Sequence, residues 1–236
     1  MSLFTLTTQV LRDPDAVASS AASAALGRLA PPLLALAVGG AALFGLAAGA
    51  GSGPLQATYA AVKMPVLFLL PPLVVLPLVH AFAEACGASV PWSRLSVATL
   101  AGLARSGLLA AAAAPVLWLP LSVETPYHLA VLLFVASFMT VLLPALSTVA
   151  RAVPRGGTLR PMALVGTALT LGLLIAQTGW VLRPFVARPT VAPTFLRAVE
   201  GDVFSALGAT TRSATGDYDD AWAPESAGVW RERRAE

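Results

Sequence analysis

The stretch Leu33–Ala50, LLALAVGGAALFGLAAGA, runs for eighteen residues without a charge, an amide or a hydroxyl. No face of such a helix can meet water, so it is not the surface helix of a soluble domain. It also lacks the apolar–polar alternation that a strand of a membrane barrel requires. What remains is a helix that satisfies its own backbone inside hydrocarbon, and about 20 such residues cross a ~30 Å core.

Working outward, the first span reads as roughly Ala30–Ala50. Four more segments reach spanning length: roughly Val62–Cys86, a stretch within Leu95–Leu121, roughly Tyr127–Ala150 and roughly Pro161–Val181. The whole chain fits them, with 57% hydrophobic and 11% charged residues over 236 positions and a mean hydropathy of +0.77. Soluble domains carry about 25% charged residues. The expected fold is therefore all-α: a polytopic helical membrane protein of about five transmembrane helices.

Residues 29–190 would form the membrane domain. Residues 1–28 would be an amphipathic arm, with Leu3, Leu6 and Val10 on one face and Asp13-Pro14 reading as an N-cap followed by Pro at the first helical position. The arm either lies on the membrane surface or feeds the first span, with a solvated arm as the competing reading. Nothing in it resembles the basic, then apolar, order of a signal peptide. Residues 191–236 read as a soluble tail with one short amphipathic helix (Phe195, Val199, Val203, Leu207) and a polar, disordered end in which Trp222 and Trp230 could anchor a partner.

The net charge of +3 is too small to suggest nucleic acid. Its distribution is more telling. With five spans, Arg12, Arg28, Arg94, Arg151, Arg155 and Arg160 share one side; Lys63, Arg183, Arg188 and Arg197 share the other. The positive-inside rule then favours a cytoplasmic N-terminus and an external C-terminus. Cys86 is the single cysteine, which excludes an intrachain disulfide and a cysteine-built metal site. His80 and His128 fall at opposite ends of their spans and cannot share a haem or metal, so no cofactor is expected. The chain has no Gly-rich phosphate loop, HExxH or GxSxG motif, and Pro126 spoils the helical pairing of Glu124 with His128. An enzyme is not expected.

Five features carry the candidate chemistry. The last span closes with QTGWVLRPFVARP, Gln177–Pro189, where Gln177, Trp180 and Arg183 recur every third residue before Pro184. The favoured reading is an interfacial anchor and stop, since Trp prefers the headgroup level, Arg snorkels to it and Pro disfavours helix at the residue before it. The alternative is a polar site lined by Gln177 and Arg183. The second span holds Pro65, Pro71, Pro72 and Pro77, which imply a kinked or locally unwound helix of the kind found at transporter sites as well as in ordinary subunits. His80 and Glu84 form an i, i+4 pair at the inner end of that span, read as a salt-bridged or water-facing helix end in preference to a proton relay. Arg105 lies either near mid-membrane, with Glu84 as its natural partner, or at the inner edge if the span runs from about Ser106 to Val123. Finally, small residues fill spans one and three, with Gly45 and Gly49 four apart, so helices must approach closely within the chain or between chains.

Two of these stretches, AAVKMPVLFLLPPLVVLPLVHAF and AQTGWVLRPFVARP followed by FLRAVEGDVFSAL, resemble a family of uncharacterised bacterial polytopic membrane proteins. That family has a Lys-x-Pro span start and a C-terminal Gln-x-x-Trp-x-x-Arg-Pro-Phe motif, matched here by Lys63, Pro65, Gln177, Trp180, Arg183, Pro184 and Phe185. The resemblance covers most of residues 60–207. It departs at Gly201-Asp202-Val203-Phe204, where Gly-Asn-Phe is usual. It implies the fold and a bacterial cytoplasmic (inner) membrane address, and no particular activity.

The function expected from these features is a non-catalytic integral membrane subunit. It would be bound to the lipid bilayer and assembled with itself, as a homo-oligomer, or with other membrane protein subunits. An oligomeric channel or transporter built on the second span is the alternative.

Overall fold

The computed structural model describes residues 3–19, 23–85, 87, 90–123, 127–152, 160–186 and 193–196. All of them belong to the compact unit formed by residues 1–198. The expected tail helix beyond Phe195, Cys86, Trp222 and Trp230 lie outside the described residues, as does the side chain of His128.

The described residues form helices and no strands: α1 (Leu3–Arg12), α2 (Pro14–Ser19), α3 (Ser23–Ala50), α4 (Pro54–Ala85), α5 (Trp92–Ser122), α6 (Tyr127–Ala152) and α7 (Arg160–Leu182). Five of them, α3 to α7, are long and apolar enough to cross a membrane. The chain is an all-α, multi-pass membrane protein. Each expected span coincides with one helix, but α4 and α5 are longer than the sequence suggested, at 32 and 31 residues. At 1.5 Å per residue both approach ~48 Å and outrun a ~30 Å hydrocarbon core.

The second span is not unwound. α4 is one uninterrupted helix from Pro54 to Ala85 with all four prolines inside it. Each proline removes its own N–H and so frees the carbonyl four residues before it. The flanking turns keep their bonds, and helices that pack against others in hydrocarbon tolerate such losses. α3 likewise starts at Ser23 and runs through Pro31 and Pro32.

Glycines set the packing. A side chain at Gly40 would collide with the backbone of Gly107, and one at Gly107 would come within 2.7 Å of Ala37 Cα. Gly51 meets the Leu121 carbonyl, so α3 and α5 run side by side in the same direction. Gly45 faces Ala60 and Met64, and Gly49 faces Gln56 and Ala57, which sets α4 antiparallel to α3. Gly102 abuts Ala145 and Thr148 of α6, while Gly166 and Gly179 of α7 meet Phe82 and Leu67 of α4. The small residues of spans one and three therefore serve contacts within the chain.

The resulting order of neighbours is α6–α5–α3–α4–α7, with α7 resting chiefly on α4. Ser106 ties α6 to α5: its hydroxyl accepts from the Ala145 N–H at 3.0 Å, beside Pro144, whose carbonyl accepts from the Ser147 and Thr148 hydroxyls. The arm docks too. Asp13 caps α2 by accepting from the Ala16 N–H at 3.0 Å. Leu6, Val10 and Val17 are buried against Leu33 of α3 and Val97, Leu100, Ala101 and Ala104 of α5. Arg151 of α6 holds Asp15 at 2.8 Å.

Replacing Gly40 by leucine should lower the stability of the detergent-solubilised protein by about 1–3 kcal/mol, the usual cost of overpacking. The same change at Gly172, which has nothing within 4 Å of an added Cβ, should leave the melting curve in place. Equal shifts for the two variants would mean that the seam between α3 and α5 is not the tight one.

Candidate functional site

The last span ends differently from an anchor that merely reaches the headgroups. α7 stops at Leu182, and the residues after it turn inward. The Phe185 side chain is buried and stacks on Phe134 of α6 with ring centroids 5.3 Å apart. Phe134 in turn lies 6.0 Å from Phe44 of α3 and 6.4 Å from Phe138. The end of α7 thus reaches across to α6 and closes the bundle at this end.

The inward turn exposes carbonyls that no helix satisfies, and α4 supplies their donors. Lys63 Nζ donates to the Pro184 carbonyl at 3.0 Å, and Gln56 Nε2 donates to the carbonyls of Pro184 and Phe185 at 2.9 and 3.1 Å. Gln56 and Lys63 are seven residues apart, two turns, and so share one face of α4. Both are buried, at 0% and 1% exposure. The Lys63 ammonium has no described carboxylate near it. Aromatic faces complete its surroundings, with the Phe195 ring centroid at 5.0 Å and that of Phe185 at 6.0 Å. Tyr59, one turn from Lys63, meets Phe195 edge-on at 5.2 Å. Arg183 stacks on Trp180, its guanidinium carbon 3.4 Å from the ring centroid.

Of the residues singled out from sequence, Lys63 meets the chain just after Arg183 and Trp180. Gln177 is half-buried one turn earlier and makes no hydrogen bond with a described residue. Pro65 is half-buried in α4 two residues beyond Lys63. Gln56, Tyr59 and Phe134 were not anticipated. The spacing of Gln56 from Lys63 was the available signal, and the connection before α4 hid it by making Gln56 look like a loop residue.

At the other end of α4, His80 and Glu84 form no ion pair. Glu84 is exposed and accepts from the Val90 N–H at 3.3 Å, closing the turn into α5, while the His80 ring meets Trp92 edge-on at 5.2 Å. Glu84 is consequently not the partner of Arg105. Arg105 is the fourteenth residue of the 31-residue α5, half-buried, and among the described residues it has neither a hydrogen bond nor an ion pair. α5 begins at Trp92 and outruns the hydrocarbon core, so a span centred near Arg105 and one starting at about Ser106 both fit this helix.

Pro72 borders a cavity of about 250 Å³ lined by residues of α4, α5, α6 and α7. Its walls include Val75, Leu76, Leu103, Leu142 and Leu171, with Thr99 and Thr167 as the hydroxyl-bearing exceptions. The Thr99 hydroxyl donates to the Leu95 carbonyl at 2.9 Å.

No known family model, characterised protein sequence or solved structure matches this chain.

Lys63→Met should destabilise the folded protein by about 1.5–3 kcal/mol, the range for hydrogen bonds to charged groups, and Gln56→Leu should destabilise it by about 1 kcal/mol per bond lost. Because both donors use the Pro184 carbonyl, the double variant should lose less than the sum. Denaturant unfolding in mixed micelles gives the three values, and strict additivity would show that the two side chains do not hold the same carbonyl.

Proposed function

We propose that this chain is a non-catalytic subunit of a larger membrane complex, its N-terminus cytoplasmic and its C-terminus external. The observation that carries the reading is Arg105. It sits inside α5, between the stripe of Val97, Ala101 and Ala104 that packs on the arm and Gly102 that packs on α6. A guanidinium held within the bilayer costs at least ~2.5 kcal/mol on insertion scales unless a counter-charge or polar cavity answers it. Within the five spans the only acid is Glu84, at the inner end of α4 and engaged with Val90. A second copy of the chain could not present a carboxylate at the depth of Arg105. A different membrane protein with an acidic residue in its span could.

The exposure of α7 supports the same reading. Its spanning window is 11% buried, the least of the five. Gly172 and Ala176 lie four residues apart on its exposed side, the spacing with which helices approach one another in membranes. The transport reading needed a broken α4 and a wet path. α4 is continuous, and the cavity beside Pro72 is walled by hydrocarbon, which leaves Arg105 as the remaining motive of that reading.

The test is extraction of the native membrane in a mild detergent, followed by determination of the mass and composition of the particle. Distinct proteins at fixed stoichiometry are expected. Arg105→Glu should remove them from the particle while leaving the chain inserted and folded. A monodisperse monomer from native membrane, or a complex indifferent to Arg105→Glu, would overturn the proposal.

A further inference from the structure

The cavity at Pro72 has a shape and position that select its occupant. Its lining follows α4 from Pro72 to Val79, α6 from Leu142 to Ala150 and α7 from Leu164 to Leu171. Each stretch advances about 10–12 Å along its helix at 1.5 Å per residue. The space is therefore elongated along the helices, the direction in which lipid tails run. It lies at the end of the bundle where α4 and α6 finish and α7 begins, away from the closure made by Phe185.

Burial is graded across it. Val75, Leu76 and Leu103 form a buried inner wall on α4 and α5, whereas Leu146, Val149, Leu164 and Ala168 on α6 and α7 are partly or largely exposed. α6 and α7 lie on opposite sides of the opening and share no extended contact. The cavity thus opens sideways, between two spanning helices, toward the surrounding bilayer. An engineered apolar cavity of ~150 Å³ in a soluble protein stays dry and takes up benzene. This one is larger, and it faces a medium of hydrocarbon chains.

We propose that this cavity is a lipid site that takes one acyl chain of a membrane phospholipid through the gap between α6 and α7. A hydrocarbon tail fits its walls, with the Thr167 hydroxyl of α7 as the one polar exception beside the bonded Thr99. A polar ligand finds no free donor or acceptor on the inner wall, since the Thr99 hydroxyl is already bonded to its own helix. The lipid then completes the bundle at the end that Phe185 leaves open.

The experiment uses the full chain reconstituted in phosphatidylcholine–phosphatidylglycerol vesicles containing a small fraction of phospholipid with a diazirine in mid-chain. After irradiation and digestion, the label is located by mass spectrometry. Label should concentrate at least several-fold on Leu142–Ala150 and Leu164–Leu171 over the outward positions Leu132 and Val135 of α6. Ala168→Trp and Leu164→Trp, which fill the space from the lightly packed α7, should each abolish the excess without lowering the melting temperature. Leu132→Trp, on the outer face, should leave it unchanged. Uniform labelling of the exposed faces would overturn the proposal, as would an excess that survives both filling variants. Should a tryptophan variant unfold, retention of lipid by the unmodified protein in native mass spectrometry decides the matter. One tightly held phospholipid per chain supports the site, and a bare chain overturns it.

Discussion

When α7 stops at Leu182, the carbonyls of Pro184 and Phe185 are left without helical donors, and hydrocarbon offers none. The architecture turns on how this debt is met. Gln56 and Lys63, one face of α4, reach the two carbonyls at 2.9–3.1 Å. By holding them the two side chains set where Phe185 goes. Phe185 then stacks on Phe134, which joins the last helix to α6 although the helices themselves barely touch. A lysine inside a span ordinarily suggests an ion path or a proton relay. Here its ammonium is surrounded by a carbonyl and aromatic faces, which is the setting of a structural clamp.

The other half of the architecture comes from absence of side chains. Gly40 against Gly107 and Gly45 against Ala60 bring α3 so near α4 and α5 that backbone meets backbone. In a bilayer no hydrophobic force drives helices together, so close packing and a few hydrogen bonds such as that of Ser106 to the Ala145 N–H must do so. α3 is central because it has the least bulk. α7, with larger outward residues such as Met162, Leu169 and Leu173, stays peripheral.

The five spans were legible in the sequence because length and polarity alone decide them. The capping of α2 by Asp13 was legible as well, being a local matter of spacing. What could not be read was anything set by contact between distant segments. The four prolines of α4 foretold an interruption because proline loses a bond wherever it stands, yet the helix around them persists. Glu84 looked like a partner for Arg105 or His80 because it was the nearest acid along the chain, but the turn to α5 puts it against the Val90 N–H. Gln56 was invisible as a functional residue until the carbonyls it serves, more than a hundred positions away, came into view. Sequence reading put Gln177, Trp180 and Arg183 together as one stripe, and the structure keeps Trp180 with Arg183 while making the two residues beyond them the decisive ones.

The docking of the N-terminal arm has a consequence for how the protein is made. Leu6, Val10 and Val17 are buried against Val97, Leu100 and Ala101, and Val97 follows Val17 by 80 positions. At a synthesis rate of about 5–20 residues per second, the arm exists for about 4–16 s before its dock leaves the ribosome. During that interval two further segments, α3 and α4, enter the membrane while the apolar face of the arm has only Leu33 of α3 and the lipid surface to lie on. The same arm is thus a surface-bound peptide in the nascent chain and a packed element in the finished one. The Asp15–Arg151 ion pair can form only after α6, too, has been delivered.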